Sequence, residues 1–87
     1  MLRITSVEWS DQLALLRLEG QVITGWVEEL RSVCEAALRQ EKRLVVDLAS
    51  VSFLDREGTA LLASLKSRKV ALVNAPPFVA ELLRASR

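Results

Sequence analysis

Acidic side chains are the residues of this chain whose type and spacing could support chemistry. Asp47 ends the apolar run Leu44 to Val46, and Asp55 and Glu57 stand two residues apart where a second apolar segment begins. Three carboxylates at one junction could hold a magnesium ion beside a phosphoacceptor. A simpler interpretation is that Asp55 caps a helix, because an N-cap carboxylate accepts hydrogen bonds from unpaired first-turn amides. In this interpretation, the carboxylate of Asp47 accepts hydrogen bonds from loop amides.

The amino-acid composition argues against most kinds of catalytic or metal site. The chain has no histidine, which removes the commonest general base and the commonest metal ligand. Its single cysteine, Cys34, can form no internal disulfide, and its place in an apolar stripe favours a buried thiol. A magnesium pocket like that of a receiver domain is disfavoured, since the chain is too short and no lysine occupies a matching position. We therefore predict a protein that is not an enzyme and has no cofactor.

Length, charge and hydropathy limit the class of protein. The chain of 87 residues is predicted to form one domain, 1–87, with a modest core. Twelve Lys and Arg against eleven Asp and Glu give a net charge of +1, without the basic excess that nucleic-acid binding requires. No apolar run approaches the ~20 residues of a membrane span, and no signal-like segment opens the chain. We therefore expect a soluble, cytoplasmic protein that is not inserted in a membrane.

The first half of the chain predicts a β-hairpin followed by a helix. Apolar and polar residues alternate over Leu2 to Trp9 and again over Leu13 to Val22, as in paired half-buried strands. A further short pairing is expected at Gln21 to Ile23. Apolar residues then recur at three- and four-residue spacing from a start at Thr24 or Gly25, which predicts an amphipathic helix.

The second half predicts alternating strands and helices. A nearly continuous apolar run indicates a central strand covered on both faces, and a short turn leads from it to Asp55. The expected elements are a strand over Leu44 to Leu48, a helix from about Arg56 to Leu65 or Lys66, a strand over Val70 to Val73, and a helix from Pro76 and Pro77, with fraying from Ala85 to Arg87. Right-handed crossovers give an α/β fold with a mixed sheet of four to five strands and about three helices, mainly on one face.

Gly58 stands in the first turn of the predicted second helix. Glycine there costs about 1 kcal/mol relative to alanine. Its presence indicates either close packing against a neighbouring backbone or room for a binding partner.

A motif runs from the apolar strand through the junction into the second helix. Its residues are Val45-Val46-Asp47-Leu48, Val51, Phe53-Leu54-Asp55, Gly58 and Leu61-Leu62. This motif resembles that of the STAS domains, the fold shared by anti-sigma factor antagonists, stressosome proteins and the cytoplasmic tails of sulfate transporters. The resemblance covers nearly the whole chain and implies a domain that binds proteins.

The phosphorylated position of the family differs in this chain. In the antagonist branch, the second serine of Asp-Ser-Ser-Gly is modified by an anti-sigma kinase that binds the unmodified form, whereas here Arg56 and Glu57 occupy the two serine positions. Glu57 either stabilises the helix dipole by ~0.3–1 kcal/mol or imitates a fixed phosphate charge. Both interpretations exclude serine phosphorylation there. The nearest hydroxyls, Thr59 and Ser52, are expected only to form ordinary hydrogen bonds.

The resemblance implies two functions. The first is an anti-sigma factor antagonist-like regulator in bacterial partner switching, which docks an anti-sigma factor kinase or related regulator over Asp55, Arg56, Glu57, Gly58 and Thr59 and the adjacent helix surface. The alternative is a STAS subunit of an ABC-type lipid or solute transporter, which binds the ATPase subunit. The departure at Arg56 and Glu57 adds weight to this alternative.

Homodimerisation is a further expectation for this chain. The candidates for additional contacts or a homodimer interface are the outward Leu13 or Leu15, Trp26 and Phe78, although residues of these types more often belong to the core.

Overall fold

Strands and helices alternate through residues 1–85, the part of the chain that the structure, a computed structural model, describes. Fraying is expected from Ala85 to Arg87; Ala85 is instead the last residue of a helix, and Ser86 and Arg87 lie outside the described residues. The elements are β1 (Leu2–Trp9), β2 (Leu13–Val22), α1 (Thr24–Arg39), β3 (Arg43–Leu54), α2 (Arg56–Ser67), β4 (Ala71–Val73) and α3 (Pro77–Ala85). No helix among them is both long and apolar enough to cross a membrane.

The strands form one mixed sheet in the order β1-β2-β3-β4. β1 runs antiparallel to β2, whereas β2, β3 and β4 are parallel neighbours. A three-residue turn suffices for the hairpin, but each parallel pair needs a crossover, and α1 and α2 supply these crossovers. The predicted α/β fold, with a mixed sheet and three helices, is confirmed.

The core lies between one face of the sheet and the helices. Successive strand side chains point to opposite faces, so every second residue of β2 and β3 faces the helices. The strands contribute Ala14, Leu16, Leu18, Leu44, Val46 and Leu48, and the helices contribute Val27, Leu30, Cys34, Ala37, Leu61, Leu62, Leu65, Val79 and Leu83, all of them buried.

The other face of the sheet is open, so the prediction that β3 is covered on both faces is wrong. Val45 and Asp47, which alternate with the buried residues of β3, are only half-buried. Ala71 to Val73 is likewise half-buried. On this face Val45 has only the side chains of its register partners beside it, Leu15 of β2 and Ala71 of β4, and no helix within residues 1–85 packs over it.

β3 continues to Leu54, where a short turn was predicted before Asp55. The reason is that β2 accompanies β3 along its length, with Gln21 opposite Phe53 and Val22 opposite Leu54. The expected pairing at Gln21 to Ile23 is thus the end of β2 and adds no fifth strand within residues 1–85. The longer β3 delivers Asp55 directly to the start of α2.

Candidate functional site

Asp55 caps the N-terminus of α2. Its backbone is extended, with φ −90° and ψ −173°, and its Oδ1 accepts a hydrogen bond of 2.7 Å from the Gly58 amide. This satisfies one of the amides that the first helical turn leaves unpaired. The predicted N-cap role of Asp55 is confirmed.

The same carboxylate also binds the start of α1. Asp55 Oδ2 accepts hydrogen bonds from the Thr24 amide at 2.8 Å and from Thr24 Oγ1 at 2.9 Å. The amide of Gly58, followed by the amide and hydroxyl of Thr24, holds the pKa of Asp55 below its ordinary value, because these donors favour the charged form. One side chain therefore fixes the N-termini of two helices relative to each other.

Thr24 is the residue of this site that sequence reasoning missed. The only signal was its place at the start of the predicted first helix. Its acceptor lies 31 residues away in the chain, and local patterns carry no information about which carboxylate that is.

Gly58 lets α2 approach the backbone of β2. An added Cβ would lie 2.0 Å from the carbonyl oxygen of Val22 and 3.0 Å from its carbonyl carbon. Of the two alternatives raised for this glycine, the structure supports close packing against a neighbouring backbone. Gly58 is buried, so its part in the site is to hold α2 against the sheet.

Arg56 and Glu57 are exposed on the first turn of α2. Within residues 1–85, neither side chain takes part in an ion pair. Thr59 is half-buried and its Oγ1 donates to the Asp55 carbonyl oxygen at 2.9 Å, the ordinary hydrogen bonding expected of it. The turn thus presents two charges of opposite sign on a backbone that Asp55 and Thr59 hold in place.

Asp47 belongs to a different group of contacts, on the open face of the sheet. Its Oδ1 accepts from the Ala49 amide at 3.0 Å and from Asn74 Nδ2 at 3.2 Å, and its Oδ2 lies 3.7 Å from Arg17 Nε. The Ala49 amide is the first cause of its lowered pKa. Among residues 1–85, no three His, Cys, Asp or Glu side chains are placed to hold a metal ion, so Asp47, Asp55 and Glu57 form no such cluster.

Cys34 is fully buried in the core, as its place in an apolar stripe predicted. Burial, with a smaller contribution from neighbouring Glu35, raises the pKa of its thiol to about 11. Because the thiolate is the reactive form, this cysteine is chemically inert at neutral pH.

A groove runs along the exposed side of α2, beginning at Ala60. It is open, encloses about 750 Å³, and lies between α2 and α3. Its lining residues are Ala60, Ala63, Ser64, Lys66, Ser67, Leu83 and Arg84. Three of the α2 residues that line it, Ala60, Ala63 and Ser64, have short side chains. Its two basic residues are Lys66 and Arg84, and Arg84 forms an ion pair with Glu81.

The four candidates for additional contacts lie in different environments. Leu13 and Leu15 are half-buried on the open face, and Trp26 is half-buried against the core. Phe78 is 40% exposed at the start of α3.

Comparisons with known proteins agree with this architecture. The family described as "Mlab, STAS domain" matches residues 5–87. Among solved structures, "Structure of the Anti-Sigma Factor Antagonist SpoIIAA in its Unphosphorylated Form" is similar in fold, with a TM-score of 0.72 and 18% sequence identity over 94% of this chain and 82% of that chain. A search of curated proteins gave no match.

Proposed function

The chain belongs to the STAS domain family, and we propose that it is a non-catalytic domain that docks a protein partner over the first turn of α2. The observation that carries this proposal is the exposure of Arg56 and Glu57 on a turn that Asp55 fixes through three hydrogen bonds. A surface held in its binding geometry before association loses less conformational entropy when a partner binds.

The charges of the turn suit recognition of a protein surface. Arg56 and Glu57 carry opposite signs and are exposed, so a partner with the complementary arrangement can pair with both. The groove beside Ala60 and Ser64 extends the same surface along α2 and offers it apolar contact. Together the turn and the groove combine polar contacts that fix orientation with an apolar strip that can be desolvated.

The first candidate role is partner switching as an anti-sigma factor antagonist-like regulator in the bacterial cytoplasm. It is supported by family membership and by the fold shared with SpoIIAA, whose structure is titled as that of an anti-sigma factor antagonist. The partner would be an anti-sigma factor kinase or a related regulator. Because position 57 is a carboxylate, we propose that no phosphorylation at this position controls binding.

The second candidate role is that of a STAS subunit which binds and steadies the ATPase of an ABC-type lipid or solute transporter. The observation that favours it is the presence of Arg56 and Glu57 where the antagonist branch has its two serines. A subunit that is permanently bound to an ATPase needs no phosphoacceptor.

Affinity capture distinguishes the two roles. Tagged wild-type protein is mixed with lysate of its source organism, and the captured proteins are identified by mass spectrometry. An anti-sigma kinase supports the first role, a transporter ATPase supports the second, and repeated capture of neither contradicts both.

The interface variant for this experiment combines Arg56→Glu with Glu57→Arg, since both side chains are exposed and unpaired within residues 1–85. Asp55 is unsuitable, because its replacement would also release the two helix N-termini. Asp11→Arg is the matched control, because this exposed residue lies in the β1–β2 turn at the opposite end of β2. Docking at the junction predicts loss of the partner with the double variant and its retention with the control.

The variant Glu57→Ser tests whether the negative charge of Glu57 acts as a phosphate-like charge in partner binding. If Glu57 acts as a phosphate-like charge, a cognate kinase binds Glu57→Ser more tightly than wild type and phosphorylates it. Equal affinity of the two proteins would leave stabilisation of the helix dipole as the role of Glu57.

A further inference from the structure

The open face of the sheet carries a regular arrangement of apolar and charged residues. We define the open face as the side away from the helices, formed in its centre by Leu13, Leu15, Arg17, Arg43, Val45 and Asp47. The parallel register places Leu15 directly opposite Val45, and Arg17 directly opposite Asp47. The first cross-strand pair is therefore apolar on both strands, and the second joins two opposite charges.

We propose that the open face is the interface of a symmetric homodimer, with a second copy of this chain as its occupant. A symmetric dimer brings the same patch of both copies together, so the patch must be complementary to itself. A two-fold axis that runs along the strands between β2 and β3 meets this condition. It places Leu15 of each copy over Val45 of the other, and Arg17 of each copy over Asp47 of the other.

The charges of the open face favour a second copy over an unrelated protein. Arg17 and Asp47 lie 3.7 Å apart, with the Arg17 side chain 48% exposed and Asp47 retaining 17% exposure. The Oδ1 of Asp47 is already occupied by the Ala49 amide and Asn74, but its Oδ2 faces Arg17 alone. Arg17 and this Oδ2 can each take a further partner across the interface, where opposite charges meet. A face of one sign would repel its own copy, whereas this face presents both signs in register.

The size of the open face determines the strength of the dimer. Four strands spaced about 4.8 Å apart, over the six residue steps from Leu13 to Glu19, give a patch of roughly 400 Å² per chain. Two such patches bury roughly 800 Å², which is below the range of permanent complexes. We therefore expect a dimer that forms with rising protein concentration.

The dimer leaves the proposed docking surface free, because α2 lies on the other side of the sheet. The inference therefore goes beyond the proposed function and does not depend on it.

Sedimentation equilibrium tests the proposal, with protein concentrations from about 10 µM to about 1 mM because the interface is expected to be weak. The expected result is a mass that rises from 9.7 kDa toward twice that value. Arg17→Asp should weaken association at least about tenfold, because it places acids opposite acids, and combining it with Asp47→Arg should restore it. Leu15→Glu should also weaken it at least about tenfold. Circular dichroism verifies that each variant is folded.

A distance measurement covers the case in which a variant fails to fold. Spin labels are attached at Thr5→Cys or at Ser64→Cys, each in a Cys34→Ser background. Packed sheets, and a sheet and the helices on it, are each about 10 Å apart. In the dimer, two labels at position 5 should therefore lie about 15–20 Å from each other, and two labels at position 64 should lie about 40 Å from each other. A constant monomer mass, or a short distance only at position 64, would overturn the proposal.

Discussion

Replacing Gly58 by alanine has two effects on the stability of the protein, and they differ in sign. Helix propensity alone favours alanine by about 1 kcal/mol. The structure predicts the opposite sign, because the new Cβ would lie 2.0 Å from the carbonyl oxygen of Val22, and strand backbone cannot move aside as a flexible side chain can. Overpacking of this kind costs up to about 3 kcal/mol. The free energy of unfolding should therefore fall by about 2 kcal/mol, which lowers Tm by roughly 8–16 °C in a domain of this size.

Gly25→Ala is the matched control for this measurement. Gly25 also lies in the first turn of a helix, but an added Cβ there meets nothing within 4 Å. Its replacement should leave stability unchanged or raise it by up to about 1 kcal/mol. Urea and thermal unfolding followed by circular dichroism measure both variants. A Gly58→Ala protein as stable as Gly25→Ala would refute the packing of α2 against Val22.

Three further predictions follow from individual side chains. The lowered pKa of Asp55 means that its contribution to stability is present above the ordinary carboxyl pKa and disappears as the pH falls through the folded value. Asp55→Asn should therefore be less stable than wild type at neutral pH, with the difference closing in acid; a constant difference in thermal unfolding across this range would contradict the assignment. Cys34, whose pKa is about 11, should react with a thiol-specific disulfide reagent in urea but not in the native protein. Rapid native reaction would show that the thiol is accessible. Lys42→Met should lower the free energy of unfolding by about 1–2 kcal/mol, because the ammonium donates to the Ser10 carbonyl and lies 5.4 Å from the centroid of the Trp9 ring. Urea unfolding measures this loss, and an unchanged midpoint would contradict it.

The features predictable from the sequence are those that local patterns determine. Alternation of apolar residues and three- to four-residue spacing placed the hairpin and the helices, because these periods reflect burial of one face. The cap at Asp55 was also predictable, since its acceptor and the Gly58 amide are only three residues apart.

The features that sequence reasoning missed depend on contacts between distant segments. β3 extends to Leu54 because β2 lies beside it, and Val45 is only half-buried because no second helix layer within residues 1–85 covers it. The bond from Thr24 to Asp55 likewise joins residues far apart in the chain. Composition alone gives no signal for any of these contacts.

The two proposed surfaces lie on opposite sides of the sheet and can therefore be occupied together. A dimer formed through the open face would present two copies of the α2 turn, directed away from each other. Because the two docking sites face opposite directions, one compact dimeric partner cannot reach both at once, and each site takes its own partner molecule. A complex with two chains and two partner molecules is the expected stoichiometry at concentrations where the dimer forms.

The central claim is that a protein partner docks on the first turn of α2. Titration calorimetry of the captured partner tests it most directly, with wild type, the Arg56→Glu and Glu57→Arg double variant, and Asp11→Arg measured side by side. We predict that the double variant weakens binding at least about tenfold while Asp11→Arg binds like wild type. Equal affinity of all three proteins would contradict docking at this turn and place the interface elsewhere on the domain.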